Sequence, residues 1–213
     1  MLISMAKCRS ASCFLAVIAV LYLGLACGKS GGSSSGDKVL GDKAYQILAD
    51  EGLTGTDQEL KGTGTVLFKD PLGETGGEKS VGLDFRLDDG GSLTLATFAD
   101  TSLKNGVRVT FLRNGSTLSA VIEVGSQKSD PRILSSVDAS GLITLDIDVH
   151  NGETPVHVMV WNRGVSSYTQ STTVLDTDVG QSILGNGTAA FWGITMAKAT
   201  LTKTVVTEAK FAD

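Results

Sequence analysis

The chain has 213 residues, a formal net charge of -5 and three cysteines. This acidic balance lacks the basic footprint that nucleic-acid phosphates require, and two histidines are too few for a multi-histidine transition-metal site. With 26 glycines and three prolines, the composition favours many short strands joined by turns.

Residues 1–26 have the three parts of an export signal. Lys7 and Arg9 make a positive start, 14–23 is an apolar run, and small residues Gly24 and Ala26 precede Cys27. The run is short of the roughly 20 residues of a spanning helix. Removing 1–26 leaves 187 residues, enough for one domain with a substantial core, and takes the net charge from -5 to -7 because both lost charges are positive. Cys8 and Cys13 leave with the signal, so Cys27 remains as the last cysteine and no disulfide can form inside the domain. Stability then rests on the core or on a bound ion.

Gly24-Leu25-Ala26-Cys27 resembles the lipobox of bacterial lipoproteins, matching it at Ala26 and Cys27 and departing from it at Gly24 and Leu25. The resemblance implies a diacylated Cys27 as the mature N-terminus and, with Gly28 next, sorting to the outer membrane. The alternative is an ordinary signal peptide cut near Ala26, which leaves a free thiol. At about 0.8 kcal/mol per buried methylene, two or three acyl chains anchor stably where one does not. Gly31-Gly32-Ser33-Ser34-Ser35-Gly36 then reads as a flexible tether. The expected organisation is a signal over 1–26, a lipid-bearing cysteine and tether over 27–36, a short helix and connection over 37–61, and a β-domain over 62–213.

Leu40, Ala44, Ile47 and Leu48 recur at three-to-four-residue spacing, which predicts a helix over 37–52 that Gly52 ends. From Gly62 the period changes to two. Val81, Leu83, Phe85 and Leu87 alternate with polar residues, and Asp88-Asp89-Gly90-Gly91 reads as a hairpin turn before Leu93, Leu95 and Phe98. Residues 107–112 and 118–124 form a second hairpin around Asn114-Gly115. Half-buried alternation at this spacing predicts an all-β, antiparallel β-sandwich with one short N-terminal helix.

The best-defined hairpin joins 143–150 to 155–162 through Asn151-Gly152-Glu153-Thr154. Ile143, Leu145, Ile147 and Val149 share the core face with Val156, Val158 and Val160. The other face carries Asp146, Asp148, His150, His157 and Trp161, and a four-residue loop sets Asp148 across from His157. Trp161 offers a ring for sugar C–H groups, and the carboxylates accept hydroxyl hydrogen bonds, so these five residues are the candidate ligand site. The bland reading of the same face is a solvated side with one Asp–His pair. A glycosidase would need two carboxyl groups roughly 5–9.5 Å apart, which Asp146 and Asp148 offer by spacing. No serine–histidine–acid spacing, phosphate loop or Cys-x-x-Cys appears.

Residues 164–187 read as a polar surface loop. Within it Asp176-Thr177-Asp178-Val179-Gly180 has half the donors of a calcium loop, which makes Asp176 and Asp178 the metal candidates; no other cofactor is expected. Phe191-Trp192-Gly193-Ile194 and Leu201-Thr202-Lys203-Thr204-Val205-Val206, with the Phe85, Leu93 and Val107 strands, resemble the strand order of concanavalin A-like and laminin G-like jelly-roll sandwiches. In that family a glycine-containing apolar strand precedes a short link and a closing strand that pairs near the domain's start. The resemblance implies recognition of carbohydrate or protein. Sandwich glucanases of this kind carry Glu-x-Asp-x-Glu, and Asp146-Ile147-Asp148-Val149-His150 has neither glutamate. The sequence therefore reads as a lipid-anchored envelope protein with a non-catalytic domain that binds a glycan or another surface ligand. An assembly role, binding an envelope protein through helix or sheet edge, is the alternative, and a glycoside hydrolase is third.

Overall fold

The computed structural model describes residues 37–72, 78–152, 154–163, 173–183 and 191–208. The expected signal, Cys27 and tether lie outside these. In chain order the strands are β1 (Lys38–Leu40), β2 (Lys43–Asp50), β3 (Thr54–Gly55), β4 (Leu60–Phe68), β5 (Glu78–Ala99), β6 (Val107–Asn114), β7 (Thr117–Val124), β8 (Gln127–Lys128), β9 (Arg132–Ile133), β10 (Ile143–His150), β11 (Val156–Asn162), β12 (Thr173–Val179) and β13 (Phe191–Glu208). All pair antiparallel.

Two long strands, β5 and β13, pair with each other along their lengths and run through both layers. The first half of β5 takes β10 on its free side, followed by β11 and β12. Its second half takes β6 and then β7, while β4 flanks β13 and leads on to β2 and β1. Inward side chains from both groups, among them Leu83, Phe85, Leu145 and Val158 on one side and Leu95, Phe111, Ile122 and Ile194 on the other, fill a single core. The molecule is thus the all-β antiparallel sandwich that the period-two pattern predicts. Val81, Leu83, Phe85 and Leu87 all point inward, as their alternation requires. Phe68 and Trp192 stack across β4 and β13 at 4.0 Å and 10°, and the Trp192 indole N–H donates to the Asp70 carbonyl at 2.8 Å.

Three local expectations are corrected. The predicted helix over 37–52 is the β1–β2 hairpin, and no helix occurs among the described residues. Leu40 pairs with Lys43 around Gly41-Asp42, and Gly41 takes the positive φ of 61° that a two-residue hairpin turn needs. Tyr45, outside the proposed helical stripe, is buried along with Leu40, whereas Leu48 of the stripe is exposed. β2 pairs along β4, so a tertiary partner overrides the local three-to-four spacing.

Asp88-Asp89-Gly90-Gly91 is a bend inside β5 and makes no hairpin. Leu87 pairs with Ala199 and Ser92 with Ala197, so both sides of the bend stay on β13. β13 bulges at the same level, with Lys198 at φ 50°, and the two strands turn together from one layer to the other. The short link expected between the Phe191 and Leu201 strands is this bulge, but of the expected closing strand 201–206 only Leu201 pairs with β4, and 203–206 pair with β5. Last, the stretch read as a loop over 164–187 contains β12, which pairs with β11.

Candidate functional site

β10 and β11 keep the two faces that alternation assigns. Ile143, Leu145, Ile147 and Val149 are buried in the core together with Val156, Val158 and Val160. Asp146, Asp148, His150, His157, Met159 and Trp161 share the opposite face. Their register differs from expectation by two residues: Asp146 lies across from Trp161, Asp148 from Met159 and His150 from His157. A shift of two moves no side chain to the other face, so the hydrophobic pattern is blind to it. The loop decides instead. Asn151 Oδ1 accepts the Ile183 N–H at 3.0 Å, and Thr154 Oγ1 accepts the Ser182 N–H at 3.4 Å, which hold a longer connection in place.

His157 consequently faces β12 and not Asp148. Its Nε2 lies 2.9 Å from Asp176 Oδ1 and its Nδ1 lies 3.5 Å from Asp178 Oδ1. The two proposed metal donors thus sit on a strand, one against each ring nitrogen, and do not converge on a common point. Among the described residues no group of three or more His, Cys, Asp or Glu side chains is arranged to hold a metal ion. His150, whose ring centroid is 6.0 Å from that of His157, also has Glu78 Oε1 at 3.8 Å from its Nδ1.

The middle of this face is closed to solvent. Trp161 is 1% exposed and Asp148 0%, and Asp146, His150 and Met159 are buried as well. Stacking of a sugar on Trp161 is therefore unavailable in this conformation. The Trp161 indole N–H donates to Asp146 Oδ2 at 3.4 Å, which is a structural use of the ring's polar edge.

Sequence reasoning missed Arg163 and its partner Asp84. Arg163 Nε lies 3.2 Å from Asp84 Oδ1 and 3.6 Å from Asp146 Oδ1. Its backbone N–H donates to the Thr144 carbonyl at 2.9 Å, which continues the β10–β11 ladder by one rung. Gly82 makes room for the triad: a Cβ there would stand 2.5 Å from Arg163 Nη2 and 2.6 Å from Asp146 Oδ1. Extending the period of two from Trp161 would have found Arg163. Asp84 joins it only because β5 pairs with β10, setting Asp84 across from Thr144.

The face thus has a buried centre and two partly accessible ends. One end is the largely buried Asp84–Arg163 pair, and the other is His157 with the half-exposed Asp176 and Asp178. Carboxylates, imidazole and guanidinium together can accept and donate several directed hydrogen bonds.

No family model and no curated protein matches the sequence. Among solved structures, the chain is similar to a carbohydrate-binding module (CBM66) from Bacillus subtilis, with 13% identity and a TM-score of 0.45 over 77% of this chain and 92% of that one. A legume lectin-like domain from Entamoeba histolytica has 8% identity and a TM-score of 0.45 over 78% and 90%. Sheep galectin-11, solved with glycerol, has 8% identity and a TM-score of 0.37 over 68% and 98%. All three likenesses are loose.

Proposed function

We propose that the protein is a lipid-anchored envelope protein, sorted to the outer membrane, whose concanavalin A-like sandwich is a non-catalytic binding domain for carbohydrate or another surface ligand. The observation that carries the ligand half of this reading is the outer face of β10, β11 and β12. It gathers both histidines of the chain with Asp146, Asp148, Asp176 and Asp178, and its His157–Asp176–Asp178 end is open to solvent. Such a strip accepts hydroxyl hydrogen bonds from a polyol through the exposed Asp176 and Asp178 carboxylates, which His157 positions. Asp146 and Asp148 are assigned no catalytic role. Both are buried, and Asp146 is engaged by Trp161 and Arg163. The assembly alternative, binding another envelope protein, has lost the N-terminal helix as its docking element and keeps the sheet edges.

A glycan array probed with the soluble Gly36–Asp213 unit tests the ligand reading. We expect retained glycans, with signal reduced about tenfold in an Asp176→Asn, Asp178→Asn double variant that loses two charged acceptors. An array without retained glycans, beside a specific envelope protein captured by the same unit, would replace this reading with the assembly role. The anchor half rests on the sequence of 1–36. Mass spectrometry of membrane-extracted protein should find an acylated Cys27 at the mature N-terminus, and an unmodified chain beginning at Cys27 would refute it.

A further inference from the structure

The two layers meet along a seam at the end of the molecule where β12 finishes. Gly180 lies so close to the end of β7 that an added Cβ would stand 2.9 Å from Val124 Cβ. Beside this contact opens a cleft of about 230 Å³. One wall is the two-residue turn Gly125-Ser126 that brings Gln127 of β8 across from Val124. The other is Gln181, Ser182 and Ile183, which begin three residues beyond Asp178.

The chemistry of the lining is narrow. Its polar side chains are two carboxamides and two hydroxyls, all uncharged, and Val124 and Ile183 supply apolar surface. Gln127 and Gln181 are exposed at the mouth. A carboxamide offers an acceptor and two donors together, which matches a sugar hydroxyl that is itself donor and acceptor. Nothing in the lining compensates an ionic ligand, and the acidic chain repels an anion.

The second wall is held before any ligand arrives. Asn151, fully buried, accepts the Ile183 N–H on its side-chain oxygen and the Ser182 hydroxyl on its carbonyl. A fixed wall spares a ligand the entropy of ordering it. The volume is below the roughly 300–1,000 Å³ of sites for drug-sized ligands, so the cleft suits one ring and not a chain of rings.

We propose that this cleft is a subsite for a single neutral sugar ring, with Gln127 and Gln181 as its hydroxyl-binding groups. It deepens the carbohydrate reading above and rests on it, and it adjoins the Asp178 end of the strip described there. The test uses the full chain in detergent, with amide NMR shifts followed during titration with the methyl glycosides of glucose, galactose and mannose; glucuronate and glucosamine serve as charged probes. The expected result is millimolar binding of a neutral glycoside with shifts centred on 125–127 and 181–183, weakened about three- to tenfold by Gln127→Ala and by Gln181→Ala. Shifts centred on His157, Asp176 and Asp178, with both glutamine variants binding like the parent, overturn the cleft and leave the carbohydrate reading standing. Tighter binding of either charged probe overturns the neutral-ring assignment. Absence of binding by every sugar overturns the subsite and the carbohydrate reading together.

Discussion

Arg163 reaches Asp84 of β5 and Asp146 of β10 from the end of β11, so one guanidinium ties three strands. Asp146 is almost wholly buried, and its carboxylate is stabilised there only with partners such as this and the Trp161 indole. Replacing Arg163 by alanine leaves two carboxylates facing one another with the countercharge gone. We expect a loss of about 2–4 kcal/mol, read as a lower urea midpoint with an unchanged slope. An Arg163→Ala midpoint equal to the parent's would mean the triad is solvated and energetically idle. The residues of this triad were only half legible in the sequence. Asp146 stood out by its alternation with leucine and isoleucine, whereas Arg163 lay just past the recognised strand and Asp84 on a strand 62 positions away.

Among the elements, the turns and strand ends carry the acid sensitivity. The Leu53 and Gly52 N–H groups, at 2.8 and 3.0 Å, stabilise the Asp50 carboxylate where β2 ends and hold its pKa below the ordinary carboxylate range. Ser102 does the same for Asp100 through its hydroxyl, and Ser140 for Asp138. Glu123 on β7 is lowered by Lys128, at 2.9 Å, and by the Arg108 guanidinium across on β6. In each case the unfolded chain takes up its proton at a higher pH than the folded one. Stability from these groups is therefore complete above about pH 4–4.5 and is lost as pH falls through the lowered folded values. Urea midpoints should fall as pH drops below about 4.5, and Asp50→Asn, Glu123→Gln and Asp138→Asn together should flatten that fall. An unchanged profile in the triple variant would remove these turns from the explanation.

At the scale of the whole molecule, β5 and β13 belong to both layers, and the layers share one core. Neither layer can unfold without breaking strands of the other, which predicts a single cooperative transition. The two tryptophans report from opposite sides, Trp161 on the β10–β12 layer and Trp192 stacked on Phe68 of β4. Single-tryptophan variants, Trp161→Phe and Trp192→Phe, should show fluorescence transitions that coincide with each other and with the far-ultraviolet circular dichroism. Two separated transitions would show that the layers are independent units.

The sequence alone determined the class of fold, because a side-chain period of two survives whatever the neighbouring strand turns out to be. It also determined the two faces of β10 and β11, since any even change of register leaves them intact. Register, by contrast, depends on loop anchors such as Asn151 with Ile183, which are far apart in the chain. The same holds for the N-terminal hairpin, where Tyr45 is buried by its place beside β4 despite a stripe that fits a helix, and for Gly90-Gly91, a bend because both flanks pair with β13. Most of all, only the tertiary structure decided that Trp161 and Asp148 are inside. Alternation says which side of a sheet a residue takes, but burial of that side depends on contacts that local periodicity does not encode.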